Sequence, residues 1–266
     1  MAELHAGLQR SGPESALGGR RAELDGEGFG AELRSVRRTL SLLLTTARLA
    51  VDARVDLDAA GLAGRAQRTA RSLLSAHGVE IARTGALPRA PAIIVTNHVS
   101  YLDPLVIAAV APCVALAKGE IRGWPLFGAG LRALGVVFVR RGDVYSSAVA
   151  LRRLWRALDG GATVLNFPEG TTSDGRAVGP FHRGVFRLAA LAGVQIVPGH
   201  VSYDDERVAW FGGHTLAPHY RRLSRVSGLR ARIRFGQPMV VQLSDDPREA
   251  AAHARDVVVA LQSSQD

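Results

Sequence analysis

The sequence AIIVTNHVSYLDPL, residues 92–105, decides the fold that we expect for this chain. Residues 92–95 are apolar and mostly β-branched, and prolines precede them, which is the pattern of a buried strand. A second apolar run opens with Asp103 and Pro104, which are typical of the start of a helix. The stretch therefore predicts a strand, a polar loop and a helix in succession.

The polar loop carries an imidazole and a carboxylate, His98 and Asp103. If Asp103 accepts a hydrogen bond from Nδ1–H of His98, the tautomer is fixed and Nε2 is free to act as a base. An activated Ser or Cys is missing, so the hydroxyl to be activated is predicted to belong to the substrate. The alternative is structural: Asp103 caps the helix, Asn97 forms a turn and His98 is a structural histidine.

Composition bounds the class of protein. The chain has 266 residues, 47% of them hydrophobic, which is enough for one α/β domain or a domain with a helical extension. A net charge of +9 favours anionic partners, namely nucleic acid, an acidic membrane or phosphorylated substrates and acyl carriers. The single cysteine, Cys113, excludes an internal disulfide, and no apolar stretch is long enough to span a bilayer.

The N-terminal region divides into two predicted segments. Residues 1–30 lack periodicity and are predicted to be a flexible tail, whereas residues 31–80 are predicted to form two basic amphipathic helices. These helices are expected to dock on an anionic membrane surface. The alternative is that they cover the sheet and their arginines are solvated. The apolar positions of the first helix are Leu33, Val36, Leu40, Leu43, Leu44, Ala47, Val51 and Val55.

The remaining residues, 81–266, are predicted to form an α/β domain. Alternating strands and helices indicate a mixed, largely parallel sheet flanked by helices and preceded by the amphipathic helical pair. Residues 204–228 are expected to be an irregular lid or edge over the site. Beyond the opening stretch, strands are predicted at 114–117, 136–139, 163–167, 195–201 and 230–235, and helices at 144–158, 182–191 and 247–261.

Further polar groups follow other predicted strands. Arg140 and Arg141 suit bidentate binding of a phosphate or carboxylate, although a solvated arginine pair is the alternative. Residues 167–173, FPEGTTS, offer backbone N–H groups and hydroxyls to an anion, and Glu169 could bind a substrate hydroxyl or orient an arginine. Pro198 inside a strand indicates a bulge or an edge beside a pocket.

Four stretches together resemble the ordered blocks of the glycerolipid acyltransferase family, whose best-known members are 1-acylglycerol-3-phosphate acyltransferases. The resemblance covers roughly residues 75–240 and implies an α/β fold with a membrane lysolipid as acceptor. It also implies acyl-CoA or acyl-carrier protein as donor, with no further cofactor and no metal. The four stretches are Asn97-His98 with Asp103, residues 138–141, residues 167–171 and Val197-Pro198.

The resemblance also implies the roles of individual residues. His98 is the general base and Asp103 orients it, while Pro198 shapes the pocket. Either Arg140 or Arg141 is the arginine ligand of the acceptor head group. The substrate-binding residues implied are Asn97, Arg140, Arg141, Glu169, Gly170, Thr171 and Pro198.

The acceptor is expected to be 1-acylglycerol-3-phosphate, giving phosphatidic acid. Thr172 departs from this expectation, because members that act on lysophosphatidate often carry a basic residue there. The stretch from His98 to Tyr101 and Thr172-Ser173 are also similar to branches that acylate lyso-ornithine lipid or other lysolipids, which are the alternative acceptors. The enzyme is expected to act peripherally on the cytoplasmic side of the membrane.

Other classes of protein fit less well. A basic nucleic-acid-binding protein is the non-enzyme alternative, but the chain contains no recognised nucleic-acid module and few aromatic residues, so no nucleic-acid partner is expected. Residues 128–133 match a loose dinucleotide motif, but a predicted strand follows too soon to leave room for the required helix. The chain lacks the G-x-S-x-G and H-E-x-x-H motifs of hydrolases and zinc proteases.

Overall fold

The computed structural model describes residues 14–124, 127–140 and 142–264, with the backbone alone described for residues 14–27. Two 3₁₀ helices, Gly119–Gly123 and Glu206–Val208, join the longer elements. The strands are β1 (Val79–Thr84), β2 (Ala92–Thr96), β3 (Val114–Lys118), β4 (Val137–Val139), β5 (Val164–Asn166), β6 (Gln195–Tyr203) and β7 (Leu229–Phe235). The helices are α1 (Glu14–Asp52), α2 (Ala59–Ala76), α3 (Asp103–Val110), α4 (Phe127–Ala133), α5 (Val144–Asp159), α6 (Gly184–Ala192), α7 (Leu216–Leu223) and α8 (Pro247–Ser263).

The seven strands form one sheet in the order β1-β7-β6-β2-β5-β3-β4. Neighbouring strands pair in parallel except β6 and β7, so β1 and β7 run against the other five. The structure therefore confirms the predicted mixed, largely parallel sheet. Parallel neighbours bring the carboxyl ends of β2, β3, β4, β5 and β6 to one edge, where α/β sheets place their ligands.

Helices cover both faces of the sheet, which explains why all five residues of β2 are buried. On one face, Ile93 and Val95 pack in a core with α5, α6 and α8, around the fully buried Phe186. On the other face, Ala92 and Ile94 pack against α2 and α3. The continuous apolar run of β2 is therefore the centre of two cores.

The structure differs from the predictions in two regions, the N-terminal tail and the irregular region 204–228. Helix α1 begins at Glu14, inside the predicted tail, because residues 14–27 are rich in Ala, Glu, Leu and Arg, which favour helix. Residues 1–13 lie outside the described residues, so the tail stays a prediction there. The predicted irregular region 204–228 contains helix α7, which buries His219 and Leu223.

Pro198 lies in a central strand, not at an edge. It pairs with Val95 of β2, while on its other side the β7 ladder ends with Phe235 opposite Gly199. Gly236 N then donates to Pro198 O at 2.8 Å. The missing N–H of Pro198 therefore falls where the neighbouring ladder stops, which lets a proline occupy a central strand.

Residues 128–133 lie within the short helix α4, where no helix was predicted. They precede strand β4 and are separated from β3 by a 3₁₀ helix, so they do not form the strand–turn–helix unit of a dinucleotide site. Gly128 has a packing role instead, because a Cβ there would lie 2.1 Å from Arg122 O. The rejection of the dinucleotide motif stands for this different reason.

Helix α1 buries polar side chains and exposes apolar ones, the opposite of an ordinary surface helix. Its buried positions include Ser35, Arg38 and Thr46, whereas its apolar stripe faces outward. Within the described residues, no helix is both long enough and apolar enough to cross a bilayer. The exposed large apolar side chains of this helix are Phe29, Leu33, Val36, Leu40, Leu43, Leu44 and Val51.

Polar contacts hold the inner face of α1 on the body of the protein. Arg38 donates to the carbonyl oxygens of Ser224, at 2.9 Å, and Val226. The hydroxyls of Ser35 and Ser224 are 2.6 Å apart. At the other end of the contact, Gly130 of α4 lies close to Thr46. Helix α1 is therefore fixed at the end of α7 and at α4, with its apolar stripe left uncovered.

One histidine of the sheet is buried without a partner. His200 of β6 is 3% exposed, and neither ring nitrogen has a hydrogen-bond partner among the described residues. Burial, with a smaller contribution from Arg234, lowers the pKa of His200 from 6.5 to about 4. The imidazole is therefore neutral in the folded protein at neutral pH.

Unfolding should depend on pH through His200. Between pH 6.5 and about 4 the unfolded chain binds a proton that the folded chain excludes, so stability should fall as the pH falls, by about 3 kcal/mol at most. His200→Leu should flatten this slope in denaturant titrations at several pH values. His77 and His219, whose pKa values burial also lowers, leave part of the slope. An unchanged slope in His200→Leu, equal to that of the exposed-site control His253→Leu, would contradict the assignment.

Candidate active site

A cavity of about 980 Å³ lies between the carboxyl ends of the strands and helix α1. His98 lines it at the sheet, together with Phe167 and residues of the loop that follows β5. Helix α1 contributes Leu42 and Leu49 to the far side. The lining is mainly apolar, so the cavity can hold long hydrocarbon chains next to the imidazole.

His98 and Asp103 form a hydrogen-bonded pair. Nδ1 of His98 lies 2.8 Å from Oδ2 of Asp103, and the carboxylate is fully buried. Because a carboxylate only accepts, Nδ1 carries the proton and donates, which leaves the lone pair on Nε2. Nε2 has no partner among the described residues, and the side chain of His98 remains 18% exposed beside the cavity. The predicted pairing is therefore present.

Asp103 is the first residue of α3 and not its cap, which is Leu102. Its carboxylate points back to the preceding loop, where Oδ2 also accepts from the backbone N–H groups of Val99, at 2.6 Å, and Ser100, at 2.9 Å. The prediction that Asp103 caps helix α3 is therefore wrong. The reason is that a buried carboxylate needs donors, and the loop and His98 provide them.

The second oxygen of Asp103 is also engaged. The hydroxyl of Tyr203, at the end of β6, donates to Oδ1 at 2.7 Å. Burial and the neighbouring carboxylate raise the pKa of Tyr203 well above its ordinary value, so the phenol keeps its proton. Tyr203 therefore fixes the carboxylate from the side opposite His98, a contact that sequence analysis missed.

Asn97 does not line the cavity. Its amide pairs with the backbone of Val201, with Nδ2 donating to the carbonyl at 2.9 Å and Oδ1 accepting from the N–H at 2.8 Å. The side chain is 3% exposed. Asn97 therefore extends the pairing of β2 with β6 by one residue and sets the direction in which the chain leaves the strand toward His98.

Glu169 binds the backbone of the site. Oε1 accepts from His98 N at 2.7 Å, and Oε2 accepts from Gly179 N at 2.8 Å. Burial raises the pKa of Glu169, although these two backbone hydrogen bonds oppose the rise. Ser173 N donates to His98 O at 2.9 Å. These contacts favour a structural role for Glu169, and its binding of the acceptor head group stays a prediction.

Aromatic and imidazole rings complete the wall around His98. The ring of Phe167 stacks on the imidazole with centroids 4.0 Å apart. His182 also lines the cavity, and its ring lies against Gly170, where a Cβ would be 3.2 Å from Cδ2 of His182. The φ of Gly170 is +73°, so glycine serves both the turn and the close approach.

The other predicted binding residues divide into two groups. Thr171 and Thr172 line the cavity with Gly170, whereas Pro198 is buried in the sheet and does not. Arg140 lies outside the cavity lining, with a side chain that is 75% exposed and an Nε 3.8 Å from Asp143 Oδ2. Arg141 lies outside the described residues.

Sequence analysis did not single out several residues of the site. Phe167 was quoted only as part of its block, and Lys118 and Glu120, which line the cavity, fall at the end of β3 and just after it. The position of Lys118 at a strand's carboxyl end was the available signal. Tyr203 offered none, because it meets Asp103 across 100 residues of chain.

The arrangement suits general-base chemistry on a hydroxyl beside an apolar chain. A free Nε2 on a fixed imidazole can accept a proton from a group in the cavity. The described residues contain no group of three His, Cys, Asp or Glu side chains that could hold a metal ion. What the geometry offers is therefore one oriented base, a large apolar cavity and a polar rim.

Comparison with known proteins identifies the family. The model of the Acyltransferase family matches residues 76–202. The lyso-ornithine lipid O-acyltransferase of Pseudomonas aeruginosa is 35% identical over 191 residues, which are 70% of this chain and 73% of the relative. The 1-acyl-sn-glycerol-3-phosphate acyltransferase of Neisseria gonorrhoeae is 32% identical over 143 residues, 54% of each protein.

A solved structure shares the fold. The crystal structure of the 1-acyl-sn-glycerophosphate acyltransferase of Thermotoga maritima matches with a TM-score of 0.65 at 19% identity, covering 90% of this chain and 99% of that one. The sequence relatives support the acylation of a lysolipid, as the resemblance implied. Sequence and fold agree, and the chain belongs to the glycerolipid acyltransferase family as an O-acyltransferase.

Proposed function

We propose that the protein transfers a fatty acyl group from acyl-CoA or acyl-carrier protein to the free hydroxyl of a lysolipid, and that His98 is the general base of this reaction. The observation that carries this proposal is the free Nε2 of a His98–Asp103 pair at an apolar cavity of about 980 Å³. Both substrates have long hydrocarbon chains, and such a cavity keeps them out of water next to the base.

The reaction needs no covalent enzyme intermediate. Nε2 of His98 removes the proton from the acceptor hydroxyl as its oxygen attacks the thioester carbonyl. The new C–O bond forms, the C–S bond breaks, and the proton on Nε2 passes to the leaving thiolate. Asp103 keeps Nδ1 protonated and stabilises the imidazolium that exists between these two proton transfers.

For the acceptor, we favour a lysolipid with a zwitterionic, phosphate-free head group, of which lyso-ornithine lipid is the first candidate. Among the described residues, the Arg and Lys side chains that line the cavity are Arg38 and Lys118. Arg38 donates to two backbone carbonyls, and Nζ of Lys118 is 3.8 Å from Glu120. A head group with one ammonium and one carboxylate suits such a paired rim, whereas a phosphate dianion meets the carboxylate of Glu120.

The curated relatives also favour lyso-ornithine lipid over 1-acylglycerol-3-phosphate as the proposed acceptor. Three curated relatives named lyso-ornithine lipid O-acyltransferase are 31–35% identical to this chain, over 56–70% of its length. The originally expected acceptor, 1-acylglycerol-3-phosphate, becomes the second candidate. It is supported by the relative from Neisseria gonorrhoeae.

For location, we propose that helix α1 docks on the membrane through its outward apolar stripe. Val36 is 63% exposed and Leu40 is 54% exposed, and both lie on the side away from the buried Arg38. Burying such side chains in lipid is favourable by roughly 1.5–3 kcal/mol each. Docking at this face sets the cavity, which α1 covers, against the lipid that holds the acceptor, and we expect the enzyme to act peripherally on the cytoplasmic side.

Tyr203→Phe tests the support of Asp103. The change removes one hydroxyl and leaves Oδ1 of a buried carboxylate without its donor. We expect the free energy of unfolding to fall by about 1.5–3 kcal/mol and kcat to fall by about ten-fold, because a hydrogen bond to a charged group is lost. Tyr145→Phe is the control for kcat, since this tyrosine is 80% exposed and does not line the cavity. A Tyr203→Phe enzyme with wild-type kcat would show that Asp103 needs no second anchor.

An acceptor panel tests the reaction and its substrate. Purified enzyme is incubated with labelled acyl-CoA or acyl-carrier protein and lyso-ornithine lipid, 1-acylglycerol-3-phosphate or lysophosphatidylethanolamine, and the products are resolved by mass. We expect kcat/KM to be at least about ten-fold higher for lyso-ornithine lipid. His98→Ala should lower the rate by roughly 10²- to 10⁴-fold on any acceptor. Preference for 1-acylglycerol-3-phosphate would reverse the order of candidates, and an active His98→Ala enzyme would refute the general base.

A matched pair of variants tests docking by α1. Val36→Asp and Val240→Asp place the same charge at valines that are 63% and 58% exposed, but only Val36 lies on α1. In vesicle flotation, Val36→Asp should weaken binding by about ten-fold or more, because a carboxylate opposes insertion of the stripe. Val240→Asp should bind like the wild type. Equal binding by both variants would place the membrane contact elsewhere.

A further inference from the structure

A second cavity, of about 350 Å³, lies at the end of the sheet opposite His98. Its lining includes Val114 and Val137, the first residues of β3 and β4, and Ala59, the first residue of α2. His98, by contrast, follows the last residue of β2, which runs parallel to β5 and through it to β3. The second cavity is therefore separate from the catalytic residues.

Four arginines line this cavity, and its described lining contains no acidic residue. None of the four forms an ion pair with any residue in the described part of the chain. Nη1 of Arg132 donates to the backbone carbonyl of Arg122 at 3.1 Å, which holds the Arg132 side chain near the backbone of Arg122. The four are Arg122, Arg132, Arg153 and Arg156.

Four cations around one small cavity repel each other, and an anion that enters relieves this repulsion. Guanidinium groups match phosphate oxygens with paired N–H donors, so phosphate is the anion that such a cavity suits best. Elsewhere in the chain, many arginines are already engaged: Arg65 and Arg71, for example, donate to backbone carbonyls. This cavity instead brings four arginines without ion pairs around one space.

The position of the cavity near α1 favours a membrane lipid as the source of the phosphate. Arg132 lies on α4, which packs against α1, and Arg65 joins the two by donating to Asp52 O at the end of α1 and to Ala133 O at the end of α4. The outward apolar stripe of α1 thus lies one helix away from the arginines. We infer that the second cavity binds the phosphate head group of an anionic membrane lipid while α1 docks in the bilayer.

This inference uses the membrane docking proposed for α1 and is independent of the acyl transfer itself. The cavity adds recognition of anionic lipid to the apolar contact, because each basic residue near the surface contributes about a five-fold gain in binding. An arginine pocket at the opposite end of the sheet also holds the protein at a second point. The orientation of the catalytic cavity over the lipid is then defined by two contacts.

The test compares vesicles of phosphatidylcholine with vesicles that also contain phosphatidylglycerol, using the full chain and no acyl donor. Arg153→Gln with Arg156→Gln should lower the affinity for phosphatidylglycerol vesicles by about twenty-fold. The control pair, Arg152→Gln with Arg183→Gln, removes the same charge from exposed positions that line neither cavity and should lower it by less than about three-fold. Equal losses in the two double variants would overturn the site in favour of diffuse charge.

A measurement without vesicles distinguishes a lipid head group from coenzyme A as the source of the phosphate. Titration calorimetry with coenzyme A, without vesicles, should show the same binding in the wild type and in Arg153→Gln with Arg156→Gln. Loss of coenzyme A binding in that variant, with vesicle binding retained, would assign the cavity to the acyl donor and overturn the lipid assignment. Thermal unfolding of each variant checks the fold, and Arg122→Gln alone should still weaken phosphatidylglycerol binding by about five-fold.

Discussion

The buried carboxylate of Asp103 is the constraint on which the site depends. An ionised carboxylate without partners in a protein interior costs several kcal/mol, so the chain must bring donors to it. His98, two backbone N–H groups and Tyr203 meet this requirement. Three of these donors lie within five residues of Asp103, which forces the loop after β2 to fold around it. The orientation of His98 therefore follows from providing hydrogen-bond donors to one buried carboxylate.

Sequence reasoning reached the elements whose pattern is local. The apolar run of β2 and the His98–Asp103 pair were predicted because strand, loop and helix start lie within residues 92–105. Strand β1 was missed, because four of its six side chains are exposed and show no apolar run. The contacts of Tyr203 with Asp103 and of Glu169 with His98 N could not be predicted, since they join residues far apart in the chain.

For helix α1, the sequence could not predict which face is buried. A stripe of apolar residues at helical spacing has the same period whether it faces the core or the outside. Only tertiary structure shows that Ser35, Arg38 and Thr46 point inward, where hydroxyl and carbonyl groups satisfy Ser35 and Arg38 across the end of α7. The polar interior of this contact explains why the apolar stripe is left for another partner. Amphipathicity was predictable, but its direction was not.

The net charge of a protein likewise does not show where an anion binds until the partners of each cation are known. The formal charge of +9 predicted anionic partners without locating their site, and Arg38 and Arg71 bind backbone carbonyls while Arg140 lies near Asp143. These contacts fix the positions of the side chains, and a guanidinium bound to a neutral carbonyl keeps its charge. The two cavities then differ: beside His98, Arg38 contacts carbonyl groups and Lys118 lies near Glu120, whereas the arginines of the second cavity form no ion pairs among the described residues. A strongly basic protein can therefore have one cavity whose lining cations contact carbonyl groups and Glu120, and another that is lined by arginines without ion pairs.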